Sequence, residues 1–205
     1  MNGLFRSIPA LCCAGFITLL QNPMQAQTCD FMSRDAEVCV TAAYLLPSSN
    51  ISASDYGLTL NQDGALFGRL GADVFLIPKL SMGVYMHVGS VKLSGDGPFA
   101  GSSESVTMME FGGSLKGRFI LGHGAVAVKA GVNIGYRMFT SGQERMDKVS
   151  AFGIGPSIEV QLATGSIVAP HIEIGFLSQP SGGNEYTDIT FSPIFYLGAG
   201  CSLGL

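Results

Sequence analysis

Eleven ionisable side chains stand out in a chain otherwise poor in charge: Arg69, Asp73, His87, Glu110, Lys116, Arg118, Lys129, Arg137, Glu159, His171 and Glu173. Each falls on the polar side of a stretch in which apolar and polar residues alternate. Such side chains offer two kinds of chemistry. An imidazole near a carboxylate, as in His171 and Glu173, can move protons. Opposite charges buried together can lock a core, because an isolated buried charge is very costly. Catalysis would also need a nucleophile beside its base. His87-Val88-Gly89, His123-Gly124-Ala125 and His171-Ile172-Glu173 supply none, so no catalytic residue is expected and His171 with Glu173 reads as a core pair. Cys29, Cys39 and Cys201 lack the neighbouring ligands a metal needs, so no metal site and no cofactor are expected. Gly198-Ala199-Gly200-Cys201 lies inside a strand with no helix after it, which excludes a nucleotide loop.

The elements that must position these charges are strands. In the last one Ile189, Phe191, Pro193, Phe195, Leu197, Ala199, Cys201, Leu203 and Leu205 occupy every second position, with small or polar residues between them. Successive side chains of a strand point to opposite faces, so one face here is apolar throughout. Seven further stretches behave alike: about Glu37–Leu46, Gly64–Ile77, Leu80–Leu93, Glu104–Leu121, Ala125–Phe139, Val149–Ala163 and Ser166–Leu177. The links between them alternate long and short. Pro78-Lys79, Gly122-His123-Gly124 and Thr164-Gly165 are short turns. Residues 47–63, 94–103, 140–148 and 178–186 are loops. An even number of strands with that alternation predicts an all-β, eight-stranded antiparallel up-and-down transmembrane β-barrel, with short periplasmic turns, longer extracellular loops and both termini in the periplasm.

Composition agrees. Of 205 residues 13% are charged, about half the usual share for soluble domains, and 28 are glycine. The net charge of −4 provides no basic surface for nucleic acid. Arg6, the apolar stretch Ile8–Leu20 and Met24-Gln25-Ala26 read as a secretory signal over 1–26, which leaves a barrel domain over 27–205. After it no apolar run is long enough for a spanning helix, so anything that crosses a membrane must be a closed barrel. Cys29 and Cys39 could form a disulfide in an oxidising compartment.

Two readings of the faces compete. A soluble barrel of the lipocalin sort would turn its apolar face inward, yet eight strands enclose little space and each apolar face carries five to seven sizeable side chains. The membrane reading turns that face outward. It leaves Gly, Ser, Ala and the charges inside. Tyr44, Phe111, Tyr136, Phe152, Phe176 and Phe191 then form an aromatic girdle at the loop-side interface. The charges must pair: hairpin register sets Lys129 opposite Glu159, with Lys116 and His171 beside them and Glu110 diagonal to Arg137. The expected interior is a plug.

The strand count, the loop and turn alternation and the amphipathic end Phe191–Leu205 resemble the small eight-stranded outer-membrane proteins of the OmpA-barrel, OmpX and OmpW type. The resemblance covers residues 27–205 and implies a bacterial outer membrane, a lipid and lipopolysaccharide environment, and handling by the barrel assembly machinery. It implies a structural or surface-interaction role, with a surface ligand reached through loops 47–63, 94–103, 140–148 and 178–186. Two alternatives stay open. One is a narrow conduit for small hydrophobic or ionic solutes, as in OmpW-like barrels. The other is an enzyme acting on lipid A.

Overall fold

The computed structural model describes residues 31–53, 58–95, 103–140, 149–164, 166–178, 182–184, 187–190 and 193–205. The expected signal at 1–26, Cys29, Phe191 and the loop core at 141–148 lie outside them. The described strands are β1 (Ala36–Leu45), β2 (Ser48–Ala53), β3 (Leu58–Gln62), β4 (Ala65–Ile77), β5 (Leu80–Gly95), β6 (Ser103–Leu121), β7 (Val126–Thr140), β8 (Val149–Leu162), β9 (Val168–Leu177), β10 (Gly182–Asn184), β11 (Thr187–Thr190) and β12 (Ile194–Gly204).

Eight of them close a ring in the order β1-β4-β5-β6-β7-β8-β9-β12, every neighbour antiparallel. Closure removes the unpaired strand edges that lipid would leave unsatisfied. The period-two pattern survives through the barrel strands, interrupted by a register shift between Phe75 and Ile77 in β4 and at Pro170 in β9. β1 alternates so that Glu37, Cys39, Thr41, Ala43 and Leu45 are buried while Val40 and Tyr44 face out. β8 and β12 alternate in the same way.

The turns are short for identifiable reasons. Between β6 and β7 the chain reverses through Gly122–Gly124. There Gly122 and Gly124 take φ of +59° and +95°, with His123 at +56° between them. Glycine adopts that left-handed region without the Cβ penalty.

The loop side departs from the expected map. The linker 47–63 contains the hairpin β2–β3, and β10 lies within 178–186. The last apolar stretch does not run unbroken from residue 188. Its first part is β11, paired with β10 and β2, and the barrel strand begins at Ile194, after Pro193. Proline has no N–H to give a ladder and sits most easily at a strand's start. β3 takes over from β4 beside β5, and β10 takes over from β9 beside β8. A second ring, β5-β3-β2-β11-β10-β8-β7-β6, therefore stands on the first. β5 to β8 run through both rings; the loop hairpins complete the upper one.

Candidate functional site

Among the described residues the interior gathers the ionisable side chains, and it is built in tiers. In the turn-side tier Lys129, with 0% of its surface exposed, is the hub. Its Nζ lies 2.6 Å from Glu37 Oε2, 3.2 Å from Glu159 Oε1 and 3.5 Å from Asp73 Oδ2. Lys129 and Glu159 are direct cross-strand partners on β7 and β8. Lys116 bridges Asp73 at 3.1 Å and Glu159 at 3.4 Å. Gln161 Nε2 donates to Glu37, Glu159 and Ser202. Arg118 stacks 3.6 Å from the Phe75 ring centroid, donates from Nε to the Pro78 carbonyl and approaches Glu37 at 3.7 Å.

One tier higher, Arg69 is ion-paired with Glu173 and donates to Tyr196 Oη and Asn133 Oδ1. Tyr196 donates to Glu173 at 2.9 Å, and Asn133 to Ser157 Oγ at 3.0 Å. Above it Glu110 and Arg137 form an ion pair, and Tyr85 Oη donates to Glu110 at 2.7 Å. The Arg69 guanidinium sits over the Tyr85 ring at 4.9 Å, which joins these two tiers. The aromatic rings lie close against the wall because the wall beside them has no side chains. A Cβ at Gly175 would strike the Tyr196 ring, and one at Gly112 or Gly135 would strike Tyr85.

Towards the loops the interior turns apolar. Leu45, Leu60, Phe67, Val91, Val106, Met108, Phe139, Val149 and Ile194 form one buried cluster. His87 marks the boundary. It packs on the rings of Phe67, Tyr85 and Tyr196 at 5.0, 4.7 and 6.1 Å between centroids, and its Nδ1 stays 3.6 Å from Glu110.

All the ionisable residues singled out in sequence face this interior, and two of their pairings differ from expectation. Glu110 and Arg137 are directly opposed in the β6–β7 register, not diagonal. His171 is hydrogen-bonded elsewhere than to Glu173. Its Nε2 meets Thr41 Oγ1 at 2.8 Å and its Nδ1 meets Ser202 Oγ at 3.0 Å, with Glu159 at 3.8 Å from Nδ1. A hydroxyl, an imidazole and a carboxylate thus come together, but Ser202 is fully buried and Thr41 nearly so, so no substrate reaches them in this conformation. Two charged members of the network are not among the residues singled out in sequence, Arg34 and Glu37. Glu37 is the first inward residue of β1, which is the signal that could have found it. Cys39 is a buried free thiol beside Gly71, and Cys201 is exposed on the outer wall. Among the described residues no cluster of His, Cys, Asp or Glu could hold a metal ion.

The outer wall has the opposite character. Leu66, Val84, Leu115, Phe119, Ile158, Ile174 and Leu197 are all exposed on it. Phe111, Tyr136 and Phe152 lie side by side across β6, β7 and β8, and the Phe176 and Phe195 rings touch at 4.8 Å on β9 and β12. Tyr44 is exposed on β1. Past Met109 and Met138, the next residues on that face beyond the row, the outward residues become Thr107, Thr140 and Ser105. From Phe111 to Leu121, ten residues at about 3.3 Å each and a tilt near 40°, the apolar face rises about 25 Å, the height of a barrel's lipid band.

No family profile and no curated protein matches the sequence. Solved structures do match in fold. The outer membrane protein OprG from Pseudomonas aeruginosa superposes with a TM-score of 0.65 at 12% identity, covering 84% of this chain and 97% of OprG. Neisserial surface protein A gives a TM-score of 0.61 at 15% identity, covering 83% of this chain and 97% of the other. This chain has the fold of the small eight-stranded outer-membrane barrels. With an apolar, girdled wall on a closed ring, its place is the bacterial outer membrane.

Proposed function

We propose that this protein is a closed outer-membrane scaffold that presents its loop-side ring at the cell surface, without enzymatic activity. The observation that carries this reading is the filled interior. Six buried cations (Arg34, Arg69, Lys116, Arg118, Lys129, Arg137) face five buried carboxylates (Glu37, Asp73, Glu110, Glu159, Glu173), and the apolar cluster closes the loop end above them. A continuous water path would expose some of these groups; none exceeds 7%. In this reading lipid and lipopolysaccharide surround the wall, the barrel assembly machinery inserts the chain through its last strand, and loops 47–63, 94–103, 140–148 and 178–186 meet a surface ligand.

The test is single-channel conductance of refolded protein in planar bilayers, paired with heat-modifiable gel migration to establish folding. A folded barrel without steady current supports the closed scaffold. Reproducible current that changes with Lys129→Ala or Glu159→Ala makes the network a gate and overturns it. The apolar cluster at the loop end favours a second reading, a narrow conduit for small hydrophobic solutes. Uptake of such a solute into vesicles containing the protein, without ionic current, would select that reading.

A further inference from the structure

The turn-side mouth of the barrel is occupied by the chain itself. Residues Phe31–Ser33 form a 3-10 turn just ahead of β1. Phe31 is 1% exposed and packs on Ala127 of β7 and Ala169 of β9, with Ile120 and Ala163 around them. In the ring order β7 lies directly across from β1. The segment therefore leaves its own wall, crosses the mouth and reaches the opposite one. Arg34 follows it in: its guanidinium lies 4.8 Å from the Phe31 ring centroid, and its Nη1 is 3.3 Å from Glu37 Oε1. Gly204 leaves room for it, since a Cβ there would meet the Arg34 side chain.

We propose that Phe31–Arg34 is a periplasmic stopper that controls access of water and small solutes to the interior charge network. Three features support a displaceable cap. The 3-10 turn is not a strand of the wall; among the described residues, backbone pairing of this segment to the wall is seen from Asp35, with Leu205. The far-wall contacts come from one ring on a few small or partly buried apolar residues, Ala127, Ala169, Ile120 and Ala163. Arg34 ties it to the network at Glu37, the carboxylate that also holds Lys129. Withdrawing this segment would open the mouth without breaking a barrel seam. The proposal rests on the closed-barrel reading for what lies above the stopper.

The chain carries its own reporter. Cys39 is a buried free thiol one inward position above Glu37. With Cys39 kept as the sole cysteine, the chain is refolded into phosphatidylcholine vesicles and treated with a small cationic methanethiosulfonate. The expected result is slow labelling of the parent. In the Phe31→Ala/Arg34→Ala variant labelling should be at least about tenfold faster, with the heat-modifiable folded band retained, because local opening sets the reactivity of a buried group. Arg34→Ala alone, which keeps the Phe31 contacts, gives an intermediate rate and serves if the double variant does not fold. Equal protection in parent and variants overturns the stopper, since the network alone then seals the mouth. Equally fast labelling in all of them overturns it too, since the mouth is then open. Steady current through the parent, by contrast, refutes the closed barrel and leaves the labelling ratio to judge the stopper.

Discussion

Lys129→Met is the sharpest test of a dry interior. The substitution keeps most of the side chain's length and removes its charge. Lys129 Nζ has three carboxylates within 3.5 Å. At an effective dielectric near 20 each contact is worth roughly 5–6 kcal/mol of attraction before desolvation is charged against it. Taking an ammonium out of water costs several kcal/mol, so the native balance is far smaller than the gross attraction. The variant loses the attraction and leaves Glu37, Asp73 and Glu159 crowded around an uncharged chain. Lys116 still bridges two of them, and Arg34 and Arg118 still approach Glu37. Removing one partner of a buried ion pair costs about 3–5 kcal/mol. With a urea slope of roughly 2 kcal/mol per molar, the unfolding midpoint in vesicles should fall by about 2 M, read as loss of the heat-modifiable band. Lys92→Met, on an exposed position, is the control and should change stability by less than about 0.5 kcal/mol. A Lys129→Met midpoint within about 0.5 M of the parent would mean that water already screens the network. The closed-interior argument would then fail.

Further outcomes follow from other parts of the molecule. Gly175→Ala should destabilise the parent by about 1–3 kcal/mol through its clash with the Tyr196 ring, and should cost less when made in a Tyr196→Ala background. Equal costs in the two backgrounds would show that the clash is not the cause. Leu115→Arg, midway along the apolar outer face of β6, should cost about 2–4 kcal/mol in vesicles, while Thr107→Arg, beyond the aromatic row, should cost about 0–1. Equal costs would misplace the membrane boundary. A double-mutant cycle of Glu110→Gln and Arg137→Met should return a coupling of about 1–3 kcal/mol, since the two side chains are ion-paired. Additive effects would show that Tyr85 and His87 hold Glu110 without Arg137.

Alternation with period two was enough to determine the barrel from the sequence alone. Any residue on the inward parity of β4 to β9 must face the lumen once the ring closes, which is why Arg69, Lys116, Lys129 and Glu159 could be assigned to it before any coordinates. Local hairpin register also placed Lys129 against Glu159, because adjacent antiparallel strands joined by a turn have a register that the turn dictates. Contacts across the lumen are another matter. They depend on strand tilt and stagger, which couple residues on strands distant in sequence. Glu37 reaches Lys129, 92 residues away, and Thr41 reaches His171, 130 residues away. No local pattern encodes either distance. The same holds for His171 turning from Glu173 to Ser202, and for Arg69 claiming Glu173 in its place. Loop composition left 47–63 to fold over the mouth or extend the first hairpin and marked the other links as polar, whereas β2, β3, β10 and β11 pair into a second ring because the edges of β5 and β8 extend past their partners and leave N–H and C=O groups that need a mate. Phe31 was invisible for a related reason. A single aromatic ahead of the first strand has no period to announce it, and only the closed mouth creates the hole that it fills.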